Sequence, residues 1–162
     1  MDGLVYRLNV KRKIAGEMGI PKIPVPEVYF SFKGLNGDYN NFRTEKKAST
    51  LDRAVLILPF ETIRQLNLEG WIVEPGHLGD NVTSIGIAYD SFVIGKKYNL
   101  GDARVEITEV CKPCTVLSNL SYVGECGIKN FMKTLIGRRG RYARVIKEGN
   151  VKVNDKIEEI FI

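Results

Sequence analysis

The chain has 162 residues, with 24 Lys and Arg against 19 Asp and Glu for a net charge of +5, and 44% of it is hydrophobic. That length falls in the range of about 100–200 residues per domain, and the composition excludes wholesale disorder or a fold that needs disulfides or a metal to form. No apolar run approaches the ~18 residues of a membrane span, and Met1–Arg7 lacks the basic start and apolar stretch of a secretory leader.

Residues 1–162 therefore read as a single domain, expected in the cytoplasm and away from membranes, with its three cysteines as thiols. Leu4–Val10 alternates enough for a strand. Pro21, Pro24 and Pro26 make Gly19–Glu27 an extended, irregular connection. Val28–Phe32 is a β-rich run ending in the turn Lys33–Asp38. Asn40–Asp52 is polar and reads as a loop, and Arg53–Leu58 as a short buried strand. Phe60–Leu68, after Pro59, predicts a short helix ended by Gly70, followed by a long turn over Glu74–Asn81. Val82–Tyr89, Phe92–Ile94 and Lys97–Leu100 predict three further strands. Arg104–Val110 alternates most cleanly of all.

Ile128, Phe131, Met132, Leu135 and Ile136 form one helical stripe, stopped by Gly137. Tyr142–Ile146, Val151–Val153 and Ile157–Ile162 predict the closing strands. Many short strands with two short helices predict a mainly β fold, a closed or nearly closed barrel, and argue against a parallel α/β sheet.

The strongest chemical signal is Cys111-Lys112-Pro113-Cys114, directly after the best strand. A thioredoxin-like redox pair would need an α/β setting. A structural zinc site wants four ligands; Cys111, Cys114, Cys126 and His77 are the only soft candidates, and the second C-x-x-C that would strengthen the signal is missing. A single exposed thiolate at a strand end, favoured by the charge of Lys112, could carry sulfur or ligate a soft metal. The competing structural reading is a buried cysteine acting as a small hydrophobe, and it is the expectation for Cys111 and Cys126. Arg138-Arg139-Gly140-Arg141 lies just past a helix end, where guanidinium groups can meet phosphate or cap the helix's last carbonyls. With Arg7, Lys11, Arg12 and Lys13 it makes the charge excess local and favours an anionic partner. The absence of an aromatic-studded basic motif argues against nucleic acid. In Pro75–Thr83, two glycines permit close backbone approach, Asn81 and Thr83 offer neutral hydrogen-bonding groups, and His77 reads as an ordinary surface residue.

These stretches, taken in order, resemble the MOSC domain. The matching segments are Gly19–Lys22, Gly34–Asp38, Arg53–Leu58, Gly76–Thr83, Gly95, Gly101-Asp102, Lys112–Cys114, Arg138–Val145 and Val153–Asp155. The resemblance implies a barrel-based β fold and a molybdenum cofactor (molybdopterin) whose metal is ligated by the Cys114 thiolate. It places Asn81 near the pterin and Thr83, Gly37 and Asp38 on shared turn positions, with Lys112 beside the thiol and Arg138 and Arg139 towards the cofactor's phosphate. The activity it implies is reduction of N-hydroxylated or similar N–O compounds, with an outside electron-transfer protein, or handling of the cofactor. The alternative is a persulfide carried on Cys114 and supplied by a cysteine desulfurase, with pyridoxal phosphate on that partner only. The departures are Asp80 where many members have Glu, and Tyr39-Asn40 after Gly37-Asp38 where a basic residue or histidine is common.

Overall fold

The computed structural model describes residues 2–40 and 51–161. The strands among them are β1 (Asp2–Val10), β2 (Ile23–Val25), β3 (Glu27–Ser31), β4 (Gly34–Leu35), β5 (Val55–Pro59), β6 (Val82–Ile85), β7 (Lys97–Leu100), β8 (Ala103–Val110), β9 (Arg141–Lys147), β10 (Gly149–Lys152) and β11 (Lys156–Ile160). Two α-helices lie wholly within the described residues, α1 (Phe60–Leu68) and α2 (Gly124–Thr134).

The strands β11, β7, β8, β9, β5, β6 and β1 lie side by side in that order. Asp2, Gly3 and Leu4 then pair with Glu158, Ile157 and Lys156, which closes a barrel. Every adjacent pair around it is antiparallel except β5 with β6, where Ile57 stands opposite Val82 in a parallel register. A parallel step needs a crossover, and α1 with the loop up to Asn81 supplies it. β2 pairs beyond β1, and β10, β3 and β4 form a separate three-stranded sheet.

β5 shows why its sequence is a continuous apolar run. Val55 and Ile57 enter the barrel core, while Leu58 packs on the opposite face with Ile63, Leu66, Phe131 and Leu135 of the helical layer. A strand covered on both faces has no position left for a polar residue. β8 behaves as its alternation predicts: Ala103, Val105 and Ile107 are buried, and Arg104 and Glu106 are only partly so.

Three expectations are corrected. The strand expected over Val82–Tyr89 stops at Ile85, because Gly86 (φ +88°) turns the chain away. Phe92–Ile94 is not a strand. It follows the 3-10 turn Tyr89–Ser91, and Phe92 alone is anchored, fully buried with its ring 5.1 Å from Tyr98, leaving Val93 and Ile94 exposed. Ile136, the last residue of the predicted stripe, is 71% exposed, because α2 ends at Thr134 and the chain has already turned. The connection Gly19–Glu27 contains β2, whose Pro24 is tolerated on an edge strand. Of the predicted polar loop Asn40–Asp52, residues 41–50 lie outside the described residues, and Leu51–Arg53 is a 3-10 turn.

Candidate functional site

At the end of β8 the Cys111 N–H donates to Gly140 O at 3.0 Å, the last ladder-like bond before the chain leaves the barrel. Cys111 is buried, at 1% exposure. Cys114, in extended conformation ahead of the 3-10 turn Thr115–Asn119, is exposed. The turn after α2 brings Arg139 back against this segment. Gly140 (φ +120°) makes the bend possible, since a Cβ there would stand 2.7 Å from Ile57 O.

Arg139 is 5% exposed and is held through its Nε and Nη1. Its Nη1 donates to Cys114 Sγ and to Lys112 O, each at 2.9 Å, and its Nε donates to Leu78 O at 3.3 Å. Burial alone favours a neutral side chain. The Cys111 and Cys114 sulfurs and the hydrogen bond to Cys114 outweigh it, so the guanidinium sits above its ordinary pKa and remains a cation. A buried, fixed cation thus holds one face of an exposed sulfur.

Cys114 and Arg139 open onto a cleft of about 460 Å³. Lys112, Pro113 and Val116 line it on the cysteine side, and Met18, Gly19, Ile20 and Lys22 come from the connection after β1. Tyr39 and Asn40, Leu56 and Gly79, and the group Arg53, Glu109, Val110 and Tyr142 complete the lining. Arg53 and Glu109 form a two-pronged ion pair, at 2.7 and 2.9 Å.

A buried polar network supports this cleft. Lys22 Nζ donates to both oxygens of Asp38 at 2.7 Å. Asn81 Nδ2 donates to Asp38 Oδ2 (3.1 Å) and to Asn9 O (3.3 Å), and its Oδ1 accepts from Asn40 Nδ2 and from Leu56 N–H. Asp80 accepts from Thr83 Oγ1 (2.6 Å) and from Gly76 N–H (3.0 Å). Complete burial raises the pKa of Asp80, against the pull of these hydrogen bonds and of Lys22. Lys22 and Asn40 belong to both network and cleft.

The structure brings Cys114, Lys112 and Arg139 together. It does not bring Arg138 to them: Arg138 turns towards α1 and pairs with Glu69 at 2.6 and 3.0 Å. Asn81, Thr83 and Asp38 are buried behind the cleft and do not line it, and Gly37 (φ +77°) forms an exposed turn. Cys111 is buried as expected. The expectation for Cys126 is corrected: it is exposed, because its position in the first turn of α2 lies off the stripe that Phe131 anchors. His77 is half-buried, its Nδ1 3.1 Å from the Tyr122 hydroxyl. Sequence reasoning gave no site role to Arg53, Glu109, Asn40 or Tyr142, which line the cleft from four separate segments, although Arg53 and Tyr142 lie within stretches that carry the resemblance.

A family model described as the MOSC domain matches residues 37–158. The chain belongs to the MOSC domain family. Uncharacterized protein YflK of Bacillus subtilis (strain 168) is 27% identical to this MOSC chain over 150 residues, which cover 88% of the chain and 63% of that protein. The chain thus spans less than two-thirds of that relative's length. Among solved structures, YUAD protein from Bacillus subtilis superposes with a TM-score of 0.79 at 17% identity, covering 100% of this chain and 98% of that one. YiiM from Geobacillus stearothermophilus gives 0.74 at 23% identity, over 98% and 75% of the two chains. YiiM from Escherichia coli gives 0.70 at 20% identity, over 99% and 70%. At these identities the likeness shows the shared fold. No helix among the described residues is long and apolar enough to cross a membrane.

Proposed function

We propose that residues 1–162 act as one MOSC module that binds molybdenum cofactor in the Cys114 cleft. Cys114 would be the one protein ligand to the metal, serving reduction of N-hydroxylated or similar N–O compounds or handling of the cofactor. The observation that carries this reading is the exposed Cys114 sulfur held by the buried Arg139 cation at the edge of the cleft.

The donor set fits such a group. Among the described residues no three His, Cys, Asp or Glu side chains converge to hold a bare ion. A metal that brings its own pterin sulfurs needs only one further soft ligand, and a thiolate is that ligand. A cleft of about 460 Å³ lies within the ~300–1,000 Å³ usual for small-molecule and cofactor sites. When bound, the cofactor supplies two-electron oxygen-atom chemistry at the metal, and an electron-transfer protein would replenish it.

The chain's own residues do the rest. Arg139 fixes the direction of the Cys114 sulfur through its hydrogen bond. Lys112, exposed at the rim, adds positive charge where an anionic tail would approach. Asp38 and Asn81 fix Lys22 and Asn40 in place, so the polar side of the cleft is set before any ligand arrives.

Protein made in a cofactor-producing host should carry about one molybdenum per chain, following from a single thiolate ligand. Cys114→Ser should lose it. Stoichiometric metal in the Ser variant would overturn the assignment. A second reading is favoured by the exposure of Cys114 alone: the thiol accepts sulfane sulfur from a pyridoxal phosphate-dependent cysteine desulfurase. Incubation with cysteine and such an enzyme would then add one sulfur atom, about 32 Da, to Cys114. An unchanged mass would dismiss it.

A further inference from the structure

The proposed role of Cys114 leaves Cys111 unused, yet the two sulfurs share one neighbourhood. Cys111 Sγ lies 3.8 Å from Lys112 O. Arg139 Nη1 donates to that same carbonyl and to Cys114 Sγ, at 2.9 Å in both cases. Both sulfurs also raise the pKa of the Arg139 cation. One thiol is buried and the other open to solvent. The chain between them, Lys112-Pro113, belongs to no strand or helix, and Pro113 has no N–H to hold it in a ladder.

We infer that Cys111 and Cys114 form a reversible oxidation site, in which Cys114 reacts with a hydroperoxide and Cys111 resolves the product as an intrachain disulfide. The regulatory meaning rests on the proposed role of Cys114 as the ligating thiol; the chemistry does not. In the first step the Cys114 sulfur attacks a peroxide oxygen. The S–O bond forms, the O–O bond breaks, and for hydrogen peroxide the departing hydroxide takes up the thiol proton as water. In the second step Cys111 Sγ attacks Cys114 Sγ, the S–S bond forms, and the sulfenic oxygen leaves as a second water with the Cys111 proton. Two thiols lose two electrons and hydrogen peroxide gains them. Closure requires the two Cα atoms to stand within about 7 Å of each other, and it breaks the hydrogen bond from Arg139 to the Cys114 sulfur.

The bond would take the sulfur out of the cleft and release the Arg139 N–H that held it. Peroxide would therefore close the site reversibly, and a dithiol reductant would reopen it. A solitary Cys114 would instead advance to irreversible sulfinic and sulfonic acids.

The test uses the full chain carrying Cys126→Ser, so that only the two cysteines in question remain. After brief treatment with hydrogen peroxide, intact mass should fall by about 2 Da, as expected for one disulfide. The chain should remain monomeric on denaturing gels, the product should resist alkylation, and dithiothreitol should restore both thiols. Three results would each overturn the inference: a gain of about 16, 32 or 48 Da on Cys114 with no loss of 2 Da, a disulfide between chains, or thiols left unoxidised. These readouts need no metal. Failure here leaves the molybdenum assignment standing, and loss of that assignment leaves the disulfide measurable. In Cys111→Ala/Cys126→Ser, Cys114 should over-oxidise and fail to recover with dithiothreitol.

Discussion

Asn40 and Asn81 meet amide to amide beneath the cleft, Asn40 Nδ2 donating to Asn81 Oδ1 at 3.0 Å. The same Asn81 oxygen accepts the Leu56 N–H, which ties the cleft lining to barrel strand β5. Because Asn81 has no exposed surface, its amide acts on a ligand only through these partners. Asn81→Ala strands buried donors and acceptors on four neighbours and should cost about 2–4 kcal/mol of stability. Urea unfolding measures it, and a loss of bound molybdenum with stability intact would contradict this supporting role.

The two adjacent arginines should separate cleanly. Arg138→Ala removes an exposed pair with Glu69 and should leave both melting temperature and molybdenum content unchanged. Arg139→Ala removes a buried cation and leaves two carbonyls and a sulfur without their donor; about 2–4 kcal/mol should be lost, and molybdenum content should fall. Equal effects of the two substitutions would refute the placement.

Asp80 gives a pH dependence of defined sign. Its folded pKa is raised by burial, so the folded state binds the proton more tightly than the unfolded chain does. The stabilisation from that proton is fully present below the unfolded value of about 3.9 and is lost as pH rises through the folded pKa. Asp80→Asn has no such proton. The stability of the Asn variant relative to wild type should therefore increase with pH across this window. Urea midpoints for both proteins at several pH values from 4 upward would show it, and a constant difference would count against it.

Gly140→Ala should be among the most damaging single changes at the site. At φ +120° an L-residue is strained, and the new Cβ would stand 2.7 Å from Ile57 O and 3.0 Å from Leu56 Cδ1. Backbone strain plus the clash should cost about 3 kcal/mol or more. It should also displace Arg139, so alkylation of Cys114 should change rate as stability falls. A variant as stable as wild type would show that the bend does not depend on glycine.

Much of the barrel was legible because its signals are local. The alternation of Arg104–Val110 and the unbroken apolar run of β5 each reflect burial that a few neighbouring residues report. Phe92–Ile94 misled because aromatic and β-branched residues also anchor loops, and nothing within those three residues reveals the 3-10 turn Tyr89–Ser91 that precedes them. At the site, Cys114 and Lys112 were legible from their place after the best strand. Arg138 and Arg139 are alike in sequence; one residue of chain rotation decides which meets the sulfur and which meets Glu69. The burial of Asn81 and Asp38 was not legible, since their partners lie far along the chain: Asn9 and Asn81 are 72 residues apart.

The pairing of β1 with β11 also governs how the molecule is made. β1 waits with an open edge until β11 has been synthesised, and contacts of such long sequence separation form slowly. A chain cut before Lys156 would present unpaired backbone along both β1 and β7, an invitation to intermolecular sheet growth. It should accumulate as aggregate rather than as a smaller soluble barrel.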